Sequence, residues 1–537
     1  MYLVTAAEMR EVDRQAVEMG IPALVLMENA GKSVAKEVAA LLRAGATNRT
    51  GGPPTVVILA GPGQNGGDGF CAARHLSSMG YRVRVGFFGD ESDLPAEARA
   101  NYEALRAYPV EVNRFCEVAG PSVSGSSAAM GFIGDVDVVV DALLGTGQRG
   151  DPRPPIDAAV RWINAAHKKG IPVVACDVPT GLDADSGRPF DPVVSATVTV
   201  TMGFPKIGLY SYPGRIHAGR IVVETLALPP SLLERRFAAK AVFVEDAREH
   251  MPARQADHHK GLSGHVTVLA GSMGMAGAAV LSAKAALRAG AGTVTLLCPG
   301  EVYGVCASMV PEAMVLPCGS GPHFTNSEDV MGLASDLARR SSCVVVGPGF
   351  GRDGGQAGFL SGFLPIASSV QVPCLIDADG LYALPSLGGL SYLAGLGGKF
   401  ILTPHPGELA HLVGTNTREI GSNRPAFAVG AALDSKSIVC LKGAGTCVAN
   451  SSGDVWVNTS GDPAMATAGS GDVLSGVIAA LVSQGLSPFN ASWLGVFWHG
   501  LAGEIARRKV GSFGALAGDL CDSLPPARQA IEGSCQG

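Results

Sequence analysis

Ile58-Leu-Ala-Gly-Pro-Gly-Gln-Asn-Gly-Gly-Asp-Gly-Phe70 passes from an apolar strand pattern straight into a glycine loop. Gly61, Gly63 and Gly66 spell G-x-G-x-x-G, and an acidic pair, Asp90 and Glu91, follows a little over twenty residues later. A glycine loop between strand and helix presents backbone N–H groups at the helix N-terminus, which suits phosphate. Taken alone, the pattern reads equally as a structural turn. The dinucleotide fingerprint of hydride-transferring enzymes also wants small residues packing the loop on its helix. Here the loop carries Gln64, Asn65 and Asp68, side chains able to touch a ligand or a cation.

Similar apolar runs recur along the chain and end in Gly, Asp or Pro. TVVILAG, DVDVVVDALLG, IPVVACDVPTG and ATVTVTMG fall in the first half. HVTVLAGS, AGTVTLLCPG, CVVVGPGFG, VPCLIDADG, KFILTPHPGE and SIVCLKGAGT fall in the second. Helical patterns such as ARANYEALRAY and AAVLSAKAALRAGAG lie between them. Strands alternating with helices predict parallel sheets covered on both faces. The segment 228–261, opening LPPSLLERRF and closing ARQADHHKG, breaks the rhythm with Pro and charge, so a domain boundary is expected near 230–240. GTNTREIGSNRP, at 414–425, and the closing EGSCQG read as loop and tail. No internal repeat implies a duplicated domain.

At 537 residues the chain exceeds what one hydrophobic core supports. Hydrophobic residues make up 47% and charged ones 16%, which argues against disorder. A net charge of −6 and the absence of a dense Lys/Arg run exclude a nucleic-acid face. The 12 cysteines form no C-x-x-C pair and read as buried thiols in a reducing compartment. No run reaches the length of a membrane span, and MYLVTAAEMREVDRQAVEMG lacks a signal-peptide core. A soluble, cytoplasmic protein without nucleic-acid or membrane partners is expected, with a homo-oligomer as its assembled state.

Two further strands of the first half end in acids, Asp141 before the Gly145–Gly147 turn and Asp177 in DVPTGLDAD. Each Asp alone reads equally as a cap. In an open parallel sheet, however, strand ends converge on one crevice, and three such sites favour a pocket.

LMENAG at 26–31, GPGQNGGDG at 61–69, DALLGTG at 141–147, DVPTGLDAD at 177–185 and FPKIGL at 204–209 occur in this order. Together they resemble the NAD(P)H-hydrate epimerases over about residues 10–225. The resemblance implies a Rossmann-like three-layer domain that transfers no hydride; its substrate is a nicotinamide dinucleotide hydrated at C6. It further implies that Gln64, Asn65, Gly66, Gly67 and Asp68, with Gly145, Thr146, Gly147, Gln148, Arg149, Gly150 and Asp151, hold that substrate. Asn65, Asp141 and Thr180 would coordinate K+, as oxygen donors suit a hard cation, and Asp177 would contact substrate and serve as the acid/base residue. Gln64 stands where this family carries Asn.

In the second half, Asn458–Gly476 contains AGSGDVLSG opening an apolar helix. N–H groups of Gly469, Ser470 and Gly471 at that helix start would form an anion hole. Asp472 could accept a proton from a hydroxyl or simply complement the helix dipole. GSMGMAGA at 271–278, GPGFG at 347–351, DADGL at 377–381, LTPHPGE at 402–408 and LKGAGT at 441–446 complete a pattern. Over about residues 240–530 it resembles the NAD(P)H-hydrate dehydratase branch of the ribokinase-like superfamily. That resemblance implies that Ala276, Gly349, His405 and Asp472 contact the hydrate. Lys442, Gly443, Ala444, Gly445, Thr446 and Gly471 would contact the nucleotide. The implied catalytic residue is Asp472. Phosphorylation of the C6 hydroxyl and loss of phosphate would restore the ring, with Mg2+ and, from the HPGE form, ADP. Ala468 and Asp462 stand where Gly and Asn are common.

The expectation is an α/β protein of two domains: a Rossmann-like epimerase domain at 1–230, a linker at 231–240 and a ribokinase-like dehydratase domain at 241–537. Its substrates would be NADHX, NADPHX and ADP. The competing readings are a vitamin or sugar kinase with a non-catalytic N-terminal domain, and a binding module without turnover.

Overall fold

TVVILA at Thr55–Ala60 is buried at every position, which only a sheet covered on both faces allows. Its residues alternate between two cores, as the period of two requires. Val56, Ile58 and Ala60 join Val34, Val38 and Phe70 from two helices on one face. Val57 and Leu59 join Val160 and Ile163 from the helix Ile156–Lys168 on the other. The computed structural model describes residues 1–45, 52–115, 135–254, 259–352 and 355–533. They divide into two compact units, one from Tyr2 to Phe237 and one from Ala238 onward.

In the N-terminal unit β1 is Thr55–Ala60, β2 Arg82–Phe87, β3 Val110–Arg114, β4 Val138–Ala142, β5 Val173–Cys176, β6 Val198–Met202 and β7 Arg220–Glu224. Their order is β3-β2-β1-β4-β5-β6-β7, parallel throughout. The chain winds one way from β1 and then the other, so β1 and β4 part at a switch point, where parallel sheets bind ligands.

The C-terminal unit contains β8 Ala239–Val242, β9 His265–Leu269, β10 Thr293–Pro299, β11 Met314–Cys318, β12 Cys343–Val346, β13 Cys374–Ile376, β14 Phe400–Leu402, β15 Ile438–Leu441, β16 Cys447–Ala449 and β17 Val455–Asn458. Their order is β11-β10-β9-β12-β13-β14-β15-β16-β17-β8. Counted from β9, the parallel part repeats the winding of the other unit, with its switch point between β9 and β12. One face is covered by the helices Ala276–Arg288 and Ser470–Ser483. They approach so closely that a Cβ at Gly476 would collide with the Ser282 carbonyl oxygen.

Three readings of the sequence need correction. The stretch 414–425, expected as loop, carries the helix Thr417–Ser422 and the start of Arg424–Ser435. Its Asn416 and Asn423 side chains cap these helices by accepting from the N–H groups of Glu419 and Ala426. The second sheet is not wholly parallel: β16 runs antiparallel to β15 and β17. Asn450-Ser-Ser-Gly-Asp454 turns the chain there, with Asn450 N–H bonded to the Asp454 carbonyl at 3.1 Å. Residues 239–240, within the expected linker, begin β8. Of the stretches 253–261 and 532–537, residues 255–258 and 534–537 lie outside the described residues. The described cysteines are buried and free, and no described helix is long and apolar enough to cross a membrane.

The β1 loop is fixed by backbone crowding. Gly61 N–H bonds to the Ala142 carbonyl at 3.0 Å, and Cβ atoms at Gly61 or Gly66 would collide with the carbonyl oxygens of Leu143 and Gly61. A Cβ at Gly63 would meet nothing within 4 Å. Gly66→Ala is therefore expected to destabilise the N-terminal unit by about 1–3 kcal/mol or more, and Gly63→Ala by under about 1 kcal/mol. Urea midpoints followed by a probe in that unit check the contrast.

Candidate active sites

The N-terminal switch point gathers the predicted residues. The helix Gln64–Ser78 starts at Gly63 with no side chain capping it, so its first amides face outward for an anion. Asn65, in its first turn, is 8% exposed, and neither its Oδ1 nor its Nδ2 has a hydrogen-bond partner. A buried amide left in this state costs about 1–3 kcal/mol, so its oxygen is a ready ligand. A Cβ at Gly145 would lie 3.4 Å from the Asn65 side chain, which brings the second loop beside the first.

Asp141, at the end of β4, is fully buried. Its Oδ1 accepts from Thr180 Oγ1 at 2.7 Å and its Oδ2 from Thr180 N–H at 2.8 Å. Burial pushes its carboxyl up to about 6, against the pull of the Thr180 and Leu143 hydrogen bonds. The loop 145–151 divides by role. Gln148 accepts from Gly181 N–H at 2.8 Å, and Asp151 from Asp191 N–H at 3.0 Å, so both side chains tie backbone in place. Arg149 is exposed and bonds carbonyls of its own loop. Gln64 is exposed and reaches Glu97 at 3.3 Å.

Asp177 follows β5 with φ 60, a left-handed conformation that is strained for a non-glycine residue. Its Oδ1 accepts from Met202 N–H at 3.0 Å and Thr201 Oγ1 at 3.2 Å, and from Lys206 Nζ. Among the described residues its Oδ2 makes no hydrogen bond. Lys206 is fully buried, and its Nζ also donates to the Met202 carbonyl at 2.9 Å. Two more acids surround this pair. Burial, with the charges of Asp177 and Asp13, pushes Asp68 well above the usual carboxylate range. Burial pushes Asp13 up to about 6, with Lys206 opposing. Sequence reasoning quoted FPKIGL but gave Lys206 no role; a lone cation in an apolar run was the signal. Asp90, whose spacing fits a ribose-binding acid, instead caps the turn Glu91–Asp93 by accepting from Ser92 N–H at 2.8 Å.

The C-terminal motifs meet in the same way. Gly469 caps the helix Ser470–Ser483 in a left-handed conformation, with no side chain on the helix amides. A Cβ at Gly471 would lie 3.1 Å from Lys442 Nζ. Lys442 donates to Asp377 Oδ1 at 2.7 Å and lies 3.8 Å from Glu408. Ser475 donates to Asp377 Oδ2 at 2.7 Å. One lysine thus ties DADGL, HPGE and the anion-hole helix together. Burial alone would lower the Lys442 ammonium, but the Asp377 and Glu408 charges outweigh it and hold it raised. Burial and the Asp377 charge push Asp472 up to about 7, with Lys442 opposing. Gly445 and Thr446 continue the Lys442 loop, folded by a Thr446 Oγ1 bond to the Gly443 carbonyl at 2.8 Å. Ala276 opens its helix, and a Cβ at Gly349 would lie 3.0 Å from Ala278 Cβ, so these two predicted contacts are neighbours.

His405 has a structural task. Its Nδ1 accepts from Gly407 and Glu408 N–H at 3.0 and 3.1 Å, capping the helix Pro406–Val413. Its side chain is 54% exposed, which leaves the ring edge for a ligand. Asp462 is likewise a cap, accepting from Ala464 N–H at 2.9 Å. Arg424, unmarked by any motif, is buried and donates to the Leu441 and Lys442 carbonyls at 3.1 and 2.9 Å.

The comparisons follow the same division. A family described as NAD(P)H-hydrate dehydratase matches residues 266–526, and one described as YjeF-related protein N-terminus matches 23–208. A bifunctional NAD(P)H-hydrate repair enzyme of Moorella thermoacetica is 39% identical over 99% of this chain and 97% of that one. One of Thermofilum pendens is 36% identical over 99% and 97%. A Bacillus subtilis ADP/ATP-dependent NAD(P)H-hydrate dehydratase crystallised with ATP and Mg2+ is 29% identical, with a TM-score of 0.47, over 54% of this chain and 98% of that one.

Removing Lys206 leaves Asp177 without its buried cation. Lys206→Met is expected to destabilise the N-terminal unit by about 3–5 kcal/mol, and adding Asp177→Asn to restore part of the loss. Urea unfolding of the two single variants and the double variant measures the coupling.

Proposed function

Because the chain belongs to the bifunctional NAD(P)H-hydrate repair enzymes, we propose that its two units divide that repair between them. The enzyme epimerises NAD(P)H hydrates and dehydrates them to NAD(P)H. In the proposed division, the N-terminal unit, ending at Phe237, is the epimerase domain and interconverts the R and S forms, and the unit from Ala238 onward is the dehydratase domain and consumes the S form. What supports this reading is that each sheet brings its motif loops together beyond the carboxyl ends of its parallel strands.

In the epimerase domain the amides at Gln64–Gly67 receive substrate phosphate, and Gly145–Gly147 closes on Asn65. Asp177, held by Lys206 through Oδ1, takes and returns the proton through Oδ2. The residues fit K+: Asn65 offers an unpartnered buried oxygen, and Asp141 and Thr180 add a carboxylate and a hydroxyl. When bound, the ion supplies a fixed positive charge that offsets Asp141.

In the dehydratase domain Asp472 takes the C6 hydroxyl proton as that oxygen is phosphorylated. The Ser470–Ser483 helix start and Lys442 stabilise the transferring phosphate. Loss of that phosphate restores the nicotinamide ring. ADP is the proposed donor, on the HPGE form at 405–408. The acidic cluster around Lys442 fits a Mg2+ carried in on nucleotide phosphates, where the ion offsets phosphate charge.

Mixed R- and S-hydrates with ADP, K+ and Mg2+, followed by the absorbance of reduced nicotinamide, test both domains together. Wild type converts everything. Asp177→Ala stops near the S fraction once spontaneous epimerisation is subtracted. Absence of any nucleotide-dependent rise would return the kinase reading.

Asp472→Asn is expected to slow dehydration by about 10²–10⁴-fold while ADP binding persists. The base works only when ionised. kcat/KM should therefore rise with pH, about tenfold per unit, until the pH reaches the Asp472 value of about 7, and level off above it. A pH-rate profile with the S-hydrate shows whether the bend lies there.

A further inference from the structure

Arg352 directly follows the GPGFG loop at the end of β12. Its side chain is 55% exposed, yet two contacts fix it. Nε donates to Asp379 Oδ1 at 2.9 Å. The other oxygen of Asp379 accepts from Gly351 N–H at 3.0 Å, which clamps the carboxylate to the loop that carries the arginine. The guanidinium carbon lies 4.3 Å from the centre of the Tyr382 ring. That ring is itself stacked on His411, with centroids 4.3 Å apart and planes within 12°. Asp379 is only 8% exposed, so the clamp is built into the domain.

An exposed arginine ordinarily samples many rotamers. Here the guanidinium is oriented before any ligand arrives, and among the described residues its Nη1 and Nη2 make no hydrogen bond. A planar fork held this way suits bidentate recognition of a phosphate. Charge points to the same ligand. The motif loops of this unit bring together Asp377, Asp379, Glu408 and Asp472, and Lys442 is committed to Asp377 and Glu408. A dinucleotide entering beside Gly349 therefore needs another cation for its phosphates.

We propose that Arg352 binds a phosphate of the hydrated dinucleotide in the dehydratase site and so sets its affinity. The proposal rests on the dehydratase reading. NADHX offers only the pyrophosphate, whereas NADPHX adds a 2′-phosphate. Asp379 and Tyr382 act as positioning residues, holding the fork through its Nε and its face.

The test is steady-state dehydration by the full chain, with purified S-NADHX, purified S-NADPHX and varied Mg-ADP. Arg352→Ala should raise KM for the hydrate by about tenfold or more, with kcat and KM for ADP changed less than about twofold. Arg352→Lys should recover part of the affinity, because it keeps the charge and loses the fork. Equal losses on both hydrates place the contact at the pyrophosphate; a loss confined to S-NADPHX places it at the 2′-phosphate. Unchanged hydrate KM, or a rise in KM for ADP instead, overturns the proposal. Arg352→Gln, matched to wild type in thermal melting, replaces the alanine variant if that fails to fold. Wild-type protein that does not dehydrate either hydrate would sink the underlying reading, a result distinct from an active wild type with an unaffected variant.

Discussion

Continuous apolar strands such as Thr55–Ala60 and Cys343–Val346 are buried at every residue, and only cover on both faces satisfies them. That demand places helices on each side of the sheet and returns the strands of its parallel part in the same direction. It leaves the strand ends as the places where loops can vary without disturbing the core. Asp141 stands in the last residues of its strand, and Asn65, Asp177, Asp377 and Asp472 stand just beyond strand ends or at the helix starts that follow them. The residues proposed to carry the chemistry thus stand where the packing leaves sequence free to vary, on loops that the packing holds still.

Each site is organised around one lysine. Lys206 is fully buried against Asp177, and Lys442 holds Asp377 with Glu408 nearby. A buried carboxylate without a cation would be expelled or protonated. With one cation among several acids, one carboxylate is tied down, and burial pushes its neighbours upward, helped by the other negative charges and opposed by the lysine. Asp68 and Asp13 move this way around Lys206, and Asp472 around Lys442. A value of about 7 for Asp472 would suit its proposed role of accepting and releasing a proton near neutrality.

Much of this was legible in the sequence, because apolar runs ending in Gly and Asp report strands and their ends directly. Less legible was whatever depends on partners distant in the chain. His405 and Asp462 carry the residue types of a ligand set, and the structure uses both as caps. Asn416 and Asn423 read as loop because Asn favours turns, and the same preference makes Asn a helix start. β16 and β17 are short strands joined by the Asn450–Asp454 turn and were not read from the sequence. Lys206 sits inside FPKIGL and Arg352 just after GPGFG without a role of their own there; their partners are Asp177 and Asp379, 29 and 27 residues away.

Both units wind their parallel strands in the same order, outward from β1 in one and β9 in the other, although no internal repeat joins their sequences. Right-handed crossovers and short connections leave few ways to arrange such a sheet. Shared winding is therefore weak testimony of common ancestry here, since chain geometry alone would drive unrelated genes to the same arrangement. A lineage that fused the two would have joined parts already alike in plan, each with its motif loops at the same ends of its strands.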